Sequence, residues 1–173
     1  MSFEQVQTYV VDLVRMNAAL APYIVAAIAF AESVAIVSLF VPATVILVGV
    51  GALVAAVGLE FWPIWLGAAA GAVIGDWVSY ALGYRFKHRA LEVWPLSNHP
   101  SMVERGERFV LRWGPWGLFA GRFFGPVRAV APLIAGVFAM PFVTVQAVNM
   151  ASAMVWAFAM LAPGAGLIAV LQR

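Results

Sequence analysis

The chain has no cysteine and very little charge. Of 173 residues, ten are Lys or Arg, eight are Asp or Glu and two are His. The lack of cysteine excludes a disulfide scaffold and a thiolate-held zinc or iron–sulfur centre. The two histidines, His88 and His99, stand apart, so no metal site is expected and they read as solvated. Charged residues make up 10%, against about 25% in a soluble domain. Apolar residues take their place at 64%, and mean hydropathy is +0.95. A soluble fold of this size has no interior large enough for so much apolar surface, so the composition predicts an all-α integral membrane protein. The net charge is only +2 and the basic residues gather in one loop, which excludes a nucleic-acid-binding face. No P-loop is present, so ATP is not the direct energy source.

Over residues 3–16, Phe3, Val6, Tyr9, Val10, Leu13 and Val14 share a helical stripe opposite Glu4, Gln5, Thr8, Asp12 and Arg15. This predicts an interfacial amphipathic helix within 1–20. There is no basic n-region or early apolar core, so it does not read as a signal peptide. From Pro22 to Val57, 36 residues are apolar but for Glu32 and a few small polar side chains. That is too short for two spans of about 20 residues and a turn. A re-entrant hairpin over about 22–42, broken near Pro42, and a span over about 43–58 fit better. Irregular backbone at that depth must be buried in protein or line a wet cavity. A span follows at 62–84, with Gly67, Gly71 and Gly75 spaced for close packing. Residues 85–112 hold six of the ten basic residues and read as a cytoplasmic loop. Within it, Ser101 and Glu104 predict a capping box opening an amphipathic helix that ends near Trp113. Pro115, Pro126 and Pro132 interrupt the next apolar stretch, which predicts a second hairpin over about 113–126 with its break at Gly125-Pro126. Spans over about 127–140 and 142–171 complete the second half.

Phe40-Val-Pro42-Ala-Thr44 and Phe124-Gly-Pro126-Val-Arg128 share a pattern, and the small pairs Gly51-Ala52 and Ala135-Gly136 follow at equal offsets. The fold read from this is two pseudo-symmetric halves, each an interfacial helix, a re-entrant hairpin and two transmembrane helices. Transporters built from repeats with broken helices bind their substrates between the halves.

Four charges lie inside apolar stretches: Glu32, Asp76, Arg122 and Arg128. Each costs roughly 3 kcal/mol at the bilayer centre on insertion scales, so each needs a partner or a task. Two acids and two bases can neutralise one another as a structural network, or they can form a site. On an unbroken helix the two arginines face different ways, but a break at Gly125-Pro126 lets both enter one cavity. Two converging arginines suit an oxyanion, above all phosphate. Asp76, Ser79 and Tyr80 share a helix face turned to the same interior. Burial favours a protonated Glu32 and nearby arginine an ionised one, so small movements can switch it. Intramembrane aspartyl and serine proteases and lipid phosphatases need a second aspartate or membrane-embedded histidines, which are missing. The chain therefore reads as a transporter, with no cofactor and no enzymatic reaction.

The segment from Gly121 to Gly136, GRFFGPVRAVAPLIAG, resembles the signature of the DedA family of bacterial inner-membrane proteins, also called the SNARE-associated or VTT domain. Gly71, Gly75, Asp76, Tyr80 and Gly83, the embedded Glu32, and Asn149 to Trp156 are similar to other family features, and the likeness covers about residues 22–170. It implies two re-entrant hairpins packed on membrane helices and the return of undecaprenyl phosphate across the plasma membrane, or phospholipid scrambling as in eukaryotic relatives, with proton coupling in some members. On this likeness Arg122 and Arg128 bind the phosphate. Glu32 and Asp76 balance charge or exchange protons, while Ser79, Tyr80, Thr44 and Asn149 line the cavity. Many members carry an acid where this chain has Thr44, which leaves any proton coupling to Glu32 and Asp76. A proton- or cation-coupled solute transporter and a non-transporting scaffold are the other readings, and a homo-oligomer is compatible with each.

Overall fold

The computed structural model describes residues 18–34, 43–92 and 96–166, and these described residues are all-helical in their regular structure. The helices are α1 (Ala21–Ser33), α2 (Ala43–Val57), α3 (Phe61–Phe86), α4 (Pro100–Gly121), α5 (Gly125–Val137) and α6 (Phe142–Ala165). Residues 1–17 of the expected interfacial helix, and Pro42, lie outside the described residues. The first expected hairpin is helical as far as Ser33 and then leaves them.

Among the described residues two helices are long and apolar enough to cross a bilayer: α3, with the turn that follows it, and α6. Their 26 and 24 residues extend about 39 and 36 Å, against a hydrocarbon core of about 30 Å. By contrast α2 has 15 residues and α5 has 13, or about 22 and 20 Å, so neither crosses unaided. Four spans were expected, and two have the length.

Proline and glycine set the helix ends. Pro22 lies in the first turn of α1 and Pro126 in that of α5, where a missing N–H costs nothing. This corrects the second hairpin break: Gly125-Pro126 opens α5, and the reversal falls just before it, at Arg122–Phe124. Phe123 and Phe124 donate their N–H groups to the carbonyls of Ala120 and Gly121 to make that turn. The capping box at Ser101 does not form. His99 occupies the N-cap position of α4 without a side-chain cap, and the Ser101 hydroxyl accepts from Arg105 Nη2 at 3.4 Å instead. Within α4 the regular helix is interrupted at Gly114, whose φ of 54° and ψ of −132° favour glycine, directly before Pro115.

Helices meet backbone to backbone. A Cβ placed on Gly67, Gly71 or Gly75 of α3 would strike the carbonyls of Pro22, Ala26 and Phe30 in turn, so the four-residue spacing is the seam on which α1 lies. Two further glycines meet a neighbouring backbone, Gly51 that of Leu161 in α6 and Gly136 that of Tyr80 in α3. α3 and α6 form the centre, with α1 and α5 on α3, α2 on α6, and α4 against α5 and α6.

The interior has two apolar cores. One gathers Val25, Leu47, Ile64, Trp156 and Leu161 from α1, α2, α3 and α6. The other gathers Tyr80, Val110, Val130, Ile134 and Val145 from α3, α4, α5 and α6. α3 enters the first core near Ile64 and the second at Tyr80, whereas α6 meets them in the reverse order, so the two long helices run antiparallel.

Candidate functional site

Between the cores, at the middle of both long helices, lies a layer of buried polar side chains: Glu32, Ser33, Asp76, Ser79, Arg122, Asn149 and Ser152, with the mostly buried Arg128. The four embedded charges noted in the sequence all belong to it. They are paired. Arg122 Nη2 lies 2.7 Å from Asp76 Oδ2, and Arg128 Nη1 donates to Glu32 Oε1 at 2.8 Å. The first pair ties the end of α4 to α3, and the second ties α5 to α1.

Arg122 is held further. Its Nη1 donates to Asn149 Oδ1 at 3.0 Å and to Ser152 Oγ at 3.1 Å. Asn149 Nδ2 in turn donates to the Val73 carbonyl of α3 and to Gln146 Oε1, both at 3.2 Å, and Ser152 Oγ donates to the Asn149 carbonyl at 3.0 Å. The Arg122 side chain at the end of α4 is thus joined to α3 and α6 in one network. A cavity of about 20 Å³ adjoins it, lined by Asp76, Arg122, Asn149 and Ser152 with Leu118 and Val145. That is room for one water molecule and not for a phosphate.

Both guanidinium groups also meet one indole. Arg128 lies 4.2 Å from the Trp156 ring centroid and Arg122 5.8 Å from it, within cation–π range. The expected convergence of the two arginines therefore occurs, but around Trp156 and with a carboxylate already on each. Sequence reasoning gave no role to Ser152 or Trp156. Their signal was available: Asn149, Ser152 and Trp156 recur at i, i+3 and i+7 in a span without charge, which puts them on one helix face.

Of the other expected cavity residues, Asn149 lines the cavity as described. Ser79 is fully buried and donates to the Ser33 carbonyl at 3.2 Å, satisfying an acceptor left open at the end of α1. Tyr80 is placed differently from expectation. Its hydroxyl donates to the Met140 carbonyl at 2.7 Å and its ring stacks on Tyr84, so it braces the α5–α6 turn. The Thr44 side chain lies outside the described residues. Among the described residues no group of three His, Asp or Glu gathers to hold a metal, and His88 lies edge-on to Phe138.

Comparison with known proteins places this architecture. The profile of the VTT domain matches residues 41–166. The inner membrane protein YabI of Escherichia coli is 35% identical over 130 residues, covering 75% of this chain and 51% of that protein. An uncharacterized membrane protein of Buchnera aphidicola is 27% identical over 158 residues, 91% of this chain and 62% of its own length. One from Mycobacterium tuberculosis is 34% identical over 122 residues, 67% of this chain and 56% of its own. The chain therefore spans about half to three fifths of the length of these relatives. No solved structure gives a significant match.

Proposed function

The chain belongs to the VTT-domain, or DedA, family of membrane proteins, and from that premise we propose that it carries a lipid phosphate, undecaprenyl phosphate first, across the bacterial inner membrane. The observation that supports this reading best is the buried layer itself: two arginines, each on a carboxylate, meeting at one indole halfway along the two long helices. Guanidinium groups engage phosphate oxygens bidentately, and at this depth they exchange one anion for another more cheaply than they go without. The headgroup enters the layer when the short helices move, and the prenyl tail stays in lipid. Glu32 and Asp76 keep the charge balanced, and a carboxylate displaced by the phosphate takes up and releases a proton, so a proton gradient can drive the cycle. No covalent step is involved. A second copy of the chain is compatible with this scheme but not required by it.

The completeness of the Arg122 network favours one other reading, a scaffold whose charges only hold helices together. A flip assay in liposomes separates the two. Fluorescent or isotopically labelled undecaprenyl phosphate is expected to cross proteoliposomes faster than protein-free vesicles, while ordinary phospholipids do not. Equal movement of both would make the protein a phospholipid scramblase. Gradient-driven solute flux without lipid movement would make it a coupled solute transporter, and no movement of any kind would leave the scaffold.

A further inference from the structure

The two arginines are held in different ways. Arg122 is gripped from α3 and α6 at once, by Asp76, Asn149 and Ser152, where α6 packs against both α3 and α4. Among the described residues its Nε has no hydrogen bond and its Nη2 has only the ion pair to Asp76, but the cavity beside it is about 20 Å³, room for a water and not for a phosphate. Among the described residues Arg128 pairs with Glu32, through Nη1. Its Nη2 is buried with no hydrogen-bond partner among the described residues, and its guanidinium lies over Trp156. Its side chain keeps 11% of its surface exposed, against 5% for Arg122. Among the described residues α1 and α5 touch only slightly, so this pair is the main tie between them.

An arginine with one Nη engaged, the other Nη unbonded and its plane oriented by an aromatic face is an incomplete oxyanion site. A phosphate can bridge both Nη groups, whereas Glu32 Oε1 engages one. Resting on the lipid-phosphate reading, we propose that Arg128 alone receives the anionic headgroup, which takes the place of Glu32 beside Trp156, while Arg122 stays locked on Asp76 and keeps α3, α4 and α6 together. Trp156 is then a positioning residue: it holds the guanidinium plane while the carboxylate leaves. Glu32 is the competitor that closes the site when no headgroup is present.

The test is binding of undecaprenyl phosphate to the full chain in nanodiscs, with undecaprenol, which lacks the phosphate, as control, and thermal stability measured in parallel. Wild-type protein is expected to prefer the phosphate. Failure to do so would remove the lipid-phosphate reading and this proposal with it. Given that preference, Glu32→Gln removes the competitor while keeping its shape, and is expected to tighten binding about tenfold. Arg128→Lys loses the fork and is expected to weaken binding at least tenfold with little change in Tm. Arg122→Lys is expected to lower Tm and to weaken binding by the folded protein clearly less than Arg128→Lys does. Trp156→Phe, which keeps an aromatic face, is expected to retain more affinity than Trp156→Leu. Equal weakening by the two lysine variants, or tightening by Asp76→Asn and not by Glu32→Gln, overturns the division of roles while leaving the lipid-phosphate reading standing.

Discussion

Asp76 and Arg122 are buried together, midway along α3 and at the end of α4, and removing either strands the other. An uncompensated buried charge costs about 3–5 kcal/mol. Asp76→Asn and Arg122→Gln are each expected to destabilise the purified protein by that order, and the double variant by much less than the sum of the two. Thermal unfolding in one detergent checks this. Additive losses would mean that the two side chains do not stabilise each other. The types of the four embedded residues were legible in the sequence because charge in an apolar run stands out. Which acid meets which base was not, since Glu32 and Arg128 lie 96 positions apart and spacing says nothing at that range. Trp156 was hidden for a different reason: a tryptophan in an apolar helix looks like ordinary core, and it is core, at 2% exposure, on all sides but the one facing the arginines.

At the scale of the element, the long helices near 62–84 and from 142 onward were plain in the sequence, because long unbroken apolar runs have few other ways to satisfy their backbone in a membrane. The Gly-Pro break was misplaced because proline is ambiguous: it ends one helix and opens another equally well, and only the preceding turn decides. Glycine spacing was more informative. Gly71 faces the Ala26 carbonyl so closely that a methyl group forces α1 away from α3. Gly71→Ala is expected to cost about 1–3 kcal/mol. Gly58→Ala, at a turn with φ of 72° and open space around it, is strained only through its backbone and serves as the control. Comparing the two melting temperatures checks the claim; a Gly71 variant as stable as wild type would show that the seam can widen without loss.

At the scale of the molecule, the sequence assigns the segment 85–112 to the cytoplasmic side by its six basic residues. Asn98 is exposed there, and the native chain has no cysteine to confuse a label. Asn98→Cys in intact cells is expected to resist an impermeant thiol reagent and to react once the membrane is opened. Labelling as fast as at a known external site would reverse the orientation. The sandwich of two apolar cores around one polar layer also bears on how the protein withstands solubilisation. In water, hydrocarbon side chains cohere because their surroundings reject them. In a bilayer the surroundings are hydrocarbon too, and alanine and leucine faces gain little by exchanging lipid for each other. The charges have no such refuge outside the protein, so cohesion is greatest where the composition is least lipid-like. A detergent that admits water to mid-helix depth therefore loosens the joint first and leaves the individual helices intact.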